Sequence, residues 1–259
     1  LAERQPQALH PVLVDAAPAE MLPMLDALNA LFARIAELVE AERRFTADAA
    51  HELRTPIAAI RAQAQVALAE ADAAARRHAL EATLAGCDRA TRLVEQMLTL
   101  SRLEAGAATP MASVDLVGLA RRVLADAAPS ALARQQALEL DAADPCLVQG
   151  DAILIAVLLR NLVDNAIRYS PPRAQIRVTL TRQPTGGARL GIEDSGAGLG
   201  EADLARLGER FFRVVGSGQS GSGLGWSIVR RIAAVHRATV QASRSDSLGG
   251  LAVVVAWPA

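Results

Sequence analysis

The chain has 259 residues, 51% of them hydrophobic, and a formal net charge of −1. That is enough to bury a substantial core and to divide into two domains, and the near-neutral balance argues against a nucleic-acid partner held by bulk charge. No apolar run reaches the roughly 18 residues needed to span a bilayer; the longest, Ala152–Leu159, is bounded by Asp151 and Arg160.

The chain opens at Leu1 without a methionine and reads as a fragment, so the missing span says little about the parent protein. All 27 basic residues are arginine and alanine is abundant, which points to coding bias and not to function. Cys87 and Cys146 lie far apart in sequence. They are expected to be reduced structural thiols of a cytoplasmic protein, neither a disulfide nor a metal site.

Pro6, Pro11, Pro18 and Pro23 make the start irregular. From Met24 onward Leu25, Leu28, Phe32, Ile35, Leu38 and Val39 recur at helical spacing and run without a breaker into a helix carrying His51. The continuity suggests a signal helix delivering motion from upstream; a plain extension packed on its neighbours fits the periodicity equally well. The helix is predicted to end near Ala71–Ala73. A second runs from about Arg76 to Leu103, with Leu80, Leu84, Cys87, Thr91, Val94, Leu98 and Ser101 spaced alternately four and three apart, a heptad-like seam. One hairpin cannot bury both faces of such a stripe. Two hairpins paired as a four-helix bundle can, which predicts a homodimer. Gly106 and Pro110 mark a linker.

From Val114 the pattern is mixed. Leu116–Asp126 reads as a helix, and Ala137–Leu140 and Cys146–Val148 as short strands. Asp151 can cap a helix running to about Arg168. Ile176, Val178 and Leu180 alternate with Arg177, Thr179 and Thr181, as in a half-buried strand. Further strands are predicted at Ala188–Glu193, near Thr239–Ala242 and at Leu251–Trp257, with a helix from Gly223 to about Val235. Helices on one face of a mixed or antiparallel sheet make an α+β sandwich.

Two constellations carry chemistry. On the wheel of the first helix Arg44, Asp48, His51 and Thr55 share one side, opposite Ile35, Leu38, Phe45, Ala49, Leu53, Ile57 and Ile60. His51 is thus expected in water, with Glu52 beside it and Thr55 one turn later. Pro56 removes a backbone donor and is expected to bend the helix just past the histidine. A lone His-Glu pair is most often only a solvated face, and His10, His78 and His236, which have no partner motif, stay in that class. The second constellation is the stripe Asn161, Asp164, Asn165 and Arg168 on the helix from Asp151, whose remaining faces hold Ile155, Leu158, Leu159, Leu162, Val163, Ala166 and Ile167. Polar groups in so apolar a helix must be satisfied, either by a hydrogen-bonded network or by a ligand. Amide oxygens suit Mg²⁺ and an arginine suits phosphate.

Asp194-Ser195-Gly196-Ala197-Gly198 follows a strand, and Gly221-Ser222-Gly223-Leu224-Gly225 opens a helix. Glycines allow close backbone approach, and a helix N-terminus favours phosphate oxygens. A carboxylate such as Asp194 can accept from an exocyclic amine, which distinguishes adenine from guanine. Between the clusters, Arg210-Phe211-Phe212-Arg213 and a Gly/Ser-rich tract suit a hinged lid from Leu199 to Ser222.

These residues resemble the ordered boxes of a bacterial sensor histidine kinase over about Glu42–Trp257. Phe45–Pro56 resembles the H box, Asn161–Tyr169 the N box, Asp194–Gly198 the G1 box, Arg210–Arg213 the F box and Gly221–Gly225 the G2 box; the residues before 42 resemble the end of a HAMP domain. The resemblance implies three segments: 1–42 as a HAMP remnant and signal helix, 43–106 as a dimerisation and histidine phosphotransfer domain, and 107–259 as an ATP-binding domain of the gyrase and Hsp90-like fold. It implies that ATP is the cofactor with Mg²⁺, that His51 accepts the γ-phosphate, and that Glu52 takes the imidazole proton. Thr55 would orient a water for dephosphorylating a partner response regulator. Asn165 would hold the metal with Asn161 nearby, Arg168 would meet phosphates, Tyr169 would pack on adenine and Asp194 would recognise its amine. Gly196, Gly198, Gly221, Gly223, Leu224 and Gly225 would shape the lid and phosphate contacts. The implied setting is the cytoplasmic face of the bacterial inner membrane, the parent spanning it through segments absent from this chain. Three positions depart from the pattern: Arg168 stands where lysine is common, Trp226 where leucine is usual, and Arg237 where glycine often follows the histidine. ATP-hydrolysing relatives of this nucleotide fold place a carboxylate where Asn161 stands; an amide cannot take a proton from water, which favours transfer to histidine.

Overall fold

Residues 18, 21–104, 111–142, 145–184, 186–209, 212 and 223–259 are described by the structure, a computed structural model. They fall in two compact units, Leu1–Ala90 and Thr91–Ala259. His10, Gly106, Pro110, Arg210, Phe211, Arg213, Gly221 and Ser222 lie outside the described residues.

The first unit is built on α1 (Leu22–Ala69), 48 residues long, with Pro23 in its first turn, where an amide has no helical partner anyway. The helix stays continuous through Pro56. It ends two residues before the predicted stop because Asp72 caps α2 (Ala73–Glu104), its carboxylate accepting from the Ala75 N–H at 2.7 Å. The hairpin closes on small residues. Ala67 and Ala79 are buried, and a Cβ added at Gly86 would lie 2.7 Å from Ile60 Cγ1. The buried positions of α2 are Ala79, Gly86, Leu93, Met97, Leu100 and Leu103. The predicted seam sits elsewhere: Leu80, Leu84, Val94 and Leu98 are 41% to 66% exposed. The apolar stripe of α2 is therefore wide enough for two seams, one turned into the chain and one left open.

The second unit carries, after the end of α2, β1 (Ala112–Asp115), α3 (Leu116–Ala133), β2 (Ala137–Ala142), β3 (Leu147–Gly150), α4 (Ala152–Tyr169), β4 (Gln175–Arg182), β5 (Ala188–Asp194), α5 (Glu201–Arg206), α6 (Gly225–Val235), β6 (Thr239–Arg244) and β7 (Leu251–Trp257). Its main sheet is mixed, in the order β2-β4-β5-β7-β6, with β2 and β4 parallel and the remaining pairs antiparallel. Helix α3 packs on β2, α4 on β5 and α6 on β6, so the helices share one face and α4 lies in the middle. The seven apolar residues expected on α4 are all buried, as are Ile176, Val178 and Leu180 of β4.

Two caps begin these helices: Asp115 accepts from the Val117 and Gly118 amides, and Asp151 from the Ile153 and Leu154 amides. α3 continues seven residues past the predicted Asp126, through Pro129, because its last turn is held from outside. Ala131 is buried, and Arg134 and Gln136 just beyond it donate to the carbonyls of Ile167 and Ser170 at the end of α4. Tertiary contacts there override the helix-ending tendency of proline. The pairing of β1 with β3 and the short α5 were not expected from the sequence.

Candidate nucleotide site and phosphoacceptor helix

The polar stripe of α4 opens into a cleft of the second unit. Asn161, Asp164, Asn165, Arg168 and Tyr169 line it together with Gln96, Phe212, Gly223, Gly225 and Trp226. Along α4 the stripe runs ~12 Å from Asn161 to Tyr169, at 1.5 Å per residue. The N-terminus of α6 abuts its first half: a Cβ at Gly225 would come within 3.1 Å of Asn161 Oδ1 and 3.6 Å of Asn165 Nδ2. Glycine keeps that approach open, and the unpaired amides of the first turn of α6 face the same cleft. Leu224 is fully buried, so what it can offer the cleft is backbone.

The two asparagines differ in their bonding. Asn161 Nδ2 donates to the Val157 carbonyl at 2.8 Å, and its Oδ1 accepts from Gln96 Nε2 of α2 at 3.3 Å. Asn165 is half-buried and makes no side-chain hydrogen bond among the described residues. A sheltered amide with its oxygen free at the mouth of a cleft suits a hard cation that keeps waters and takes its remaining ligands from phosphate. Asp164 stands beside it; burial pushes its carboxyl above the usual range, against the pull of Arg168, Arg160 and Arg92.

Asp194 marks the other end. The inward face of β5 reads Ala188, Leu190, Ile192 and then Asp194, so strand alternation itself turns the carboxylate into the core, where it is 6% exposed. Its Oδ1 accepts from the Gly196 N–H at 2.8 Å and the Leu251 N–H at 3.3 Å. Both backbone bonds land on one oxygen, which leaves Oδ2 for another donor. Burial raises this carboxyl, and those bonds and the Ser170 hydroxyl oppose the rise. The Gly196 amide is thus committed to Asp194 and not to a phosphate. Gly198 turns with φ +71°, in the left-handed region that favours glycine, under Gly249-Gly250. Tyr169 is 44% exposed.

On the first unit His51 and Thr55 are exposed and Glu52 is half-buried, one turn of α1 presenting all three. Arg44 and Asp48 are exposed on the same side, whereas Ile57, placed opposite them, is itself 55% exposed.

His236 departs from expectation. It is not on a solvated face but 6% exposed; its Nε2 accepts from the Asp151 N–H at 3.0 Å and its Nδ1 donates to the Ile232 carbonyl at 2.8 Å. It ties the end of α6 to the start of α4, the two helices that wall the cleft. His78 is exposed, as expected. Sequence reasoning also missed Gln96, Ser170, Gly250 and Leu251. The Gly249-Gly250 pair was a signal for the turn beneath Asp194; Gln96 carried none, since it is one polar residue among many on α2. Both cysteines are free, Cys146 buried and Cys87 exposed. No group of three or more metal-ligating His, Cys, Asp or Glu occurs among the described residues.

Residues 41–106 match the family described as His Kinase A (phospho-acceptor) domain, and residues 150–259 the Histidine kinase-, DNA gyrase B-, and HSP90-like ATPase family. The chain belongs to the sensor histidine kinases. It is 42% identical over 261 residues to the Sensor protein QseC of Salmonella typhimurium, covering 98% of this chain and 56% of that protein. It is 35% identical over 259 residues to the Sensor protein kinase PmrB of Pseudomonas aeruginosa, covering 99% and 54%. The chain thus spans about half the length of the curated relatives it matches. Among solved structures, the Acinetobacter baumannii histidine kinase AdeS aligns with TM-score 0.63 and 25% identity, over 80% of this chain and 97% of that one. The mycobacterial sensor histidine kinase MprB aligns with TM-score 0.51 and 27% identity, over 57% and 97%.

Proposed function

We propose that this chain is the catalytic portion of a sensor histidine kinase that transfers the γ-phosphoryl group of ATP to His51 and then to an aspartate of a response regulator. The observation that carries this reading is the single cleft that collects the α4 stripe and the N-terminus of α6, with the buried, half-satisfied Asp194 at the end of the central strand β5. The adenine amine donates to Asp194 Oδ2 while Tyr169 covers the base. Arg168 and the first amides of α6 meet the phosphates. Asn165 would hold Mg²⁺, with Asp164 and Asn161 beside it, and the metal would neutralise phosphate charge.

A neutral imidazole nitrogen of His51 forms the new N–P bond, the bond from Pγ to the β-phosphate oxygen breaks, and ADP leaves. Glu52 takes the ring proton. Thr55, one turn away on the same face, holds a water for removing the phosphoryl group from the regulator.

Residues 1–42 are the signal segment, 43–106 the dimerisation and phosphotransfer domain, and 107–259 the ATP-binding domain. The open seam of α2 supports a homodimer. No described helix is long and apolar enough to cross a membrane; the parent protein spans the bacterial inner membrane through other segments, with this portion on the cytoplasmic side. The test is phosphorylation of the purified chain with Mg²⁺ and labelled ATP. The label is expected to be acid-labile, base-stable and absent in His51→Gln; acid-stable label, or label persisting in that variant, overturns the assignment.

A further inference from the structure

Among the described residues Tyr169, Phe212 and Trp226 are the aromatic side chains that line the cleft, and of the three only Trp226 carries an N–H donor. It is the second residue of α6, directly after the Gly225 that abuts Asn161 and Asn165, whereas Tyr169 and Asp194 belong to the other end of the stripe. With the base at Asp194, a nucleotide lying along α4 brings its terminal phosphate toward Asn161, Gly225 and Trp226. The indole is half-buried, and its N–H makes no hydrogen bond among the described residues. An indole N–H that a bound ligand covers ordinarily takes an acceptor from that ligand. At this end of the cleft the acceptor that arrives with the ligand is a phosphoryl oxygen, and a bond from a neutral donor to an anion is among the stronger ones.

We propose that Trp226 contacts the terminal phosphate of the bound nucleotide through its indole N–H, and so favours the triphosphate over the diphosphate. The inference rests on the nucleotide reading above. It concerns one of the three positions at which this chain departs from the family pattern, where the usual leucine has no donor to offer.

The chain supplies its own reporter, because the only other tryptophan, Trp257, is 3% exposed in the core and distant in sequence from the cleft residues. Emission of the whole chain is followed while Mg²⁺ with a non-hydrolysable ATP analogue, or Mg²⁺ with ADP, is titrated in, and both affinities are also measured by calorimetry. The analogue is expected to change Trp226 emission more than ADP does. Trp226→Phe keeps an aromatic ring but loses the donor, and Trp226→Leu restores the family residue. Both are expected to lose the emission change and to weaken the analogue at least about ten-fold more than ADP, the scale of a hydrogen bond to a charged group. Wild-type affinities with unchanged emission, Trp226→Phe binding the analogue as wild type does, or equal loss for both nucleotides overturns the proposal while leaving the nucleotide site standing. Binding of neither nucleotide by the wild-type chain overturns both readings.

Discussion

Asp194 is costly to the fold, and the proposed nucleotide site rests on it. Its register on β5 forces it inward with Leu190 and Ile192, and its raised carboxyl reflects the expense of a charge there. Because the native group titrates above its unfolded value near 3.8, the native state binds more protons just above that pH, and stability falls as pH rises through the window between the two values. Asp194→Asn retains an oxygen for the Gly196 and Leu251 amides but presents an NH₂ where the ligand needs an acceptor. We expect its melting temperature at pH 7 to equal or exceed that of the parent, the fall in stability across the acid window to flatten, and ATP affinity to drop about ten-fold or more, as for an unpaired buried donor. Calorimetry and a pH series of thermal melts check both halves. Arg237 is a second residue-scale case. It closes α6 through Ala238 N–H to the Ala233 carbonyl and Arg237 N–H to the Ala234 carbonyl, at φ 53°. That conformation favours glycine, so Arg237→Gly should stabilise the chain by about 1 kcal/mol in urea unfolding.

At the scale of elements, α1 presents the residues of two proposed roles on one surface. Thr55 lies one turn beyond His51, both exposed on an unbroken helix, so the hydroxyl can hold a water near a phosphoryl group docked there without taking part in the attack on ATP. Thr55→Ala should keep autophosphorylation within a few-fold and lose regulator dephosphorylation by about 10²-fold, the scale of a positioning defect. Following decay of the phosphorylated regulator with ADP present decides this, since equal decay for variant and parent removes Thr55 from the phosphatase role. α4 and α6 form the other working pair. Their shared end is pinned by His236 to the Asp151 amide, and a Cβ at Gly150 would lie 2.6 Å from the His236 ring, so the junction of the two helices depends on a histidine that packs and a glycine that makes room.

For the whole molecule, the relevant surface is the second seam of α2. Leu80 and Leu84 are 50% and 66% exposed, at spacing suited to a partner helix. Exposed apolar stripes of this kind mark interfaces. Leu84→Glu should convert a dimer to a monomer in sedimentation velocity while the nucleotide unit keeps its thermal transition; a variant that remains dimeric removes this seam from the interface.

Much of this protein could be read from residue order alone, because local periodicity reports on local burial. The alternation of Ile176, Val178 and Leu180 and the seven apolar residues of α4 needed no knowledge of neighbours, since each element's inward face is set by its own repeat. The capping aspartates Asp115 and Asp151 act within three residues of themselves, and the stripe Asn161 to Arg168 is legible for the same reason. What the repeat could not say is which neighbour meets which face. α2 has apolar residues enough for two seams, and only the packing of Gly86 against Ile60 selects Ala79 and Leu93 for the inside and leaves Leu84 open. α3 passes Pro129 because Arg134 and Gln136 reach the end of α4, a contact over thirty residues long in sequence. His236 turned from a surface residue into a buried clamp, and Gln96 and Trp226 joined the cleft, by the same cause. Burial of a polar side chain is decided by what folds over it, and that information resides in tertiary contacts and not in the spacing of the chain.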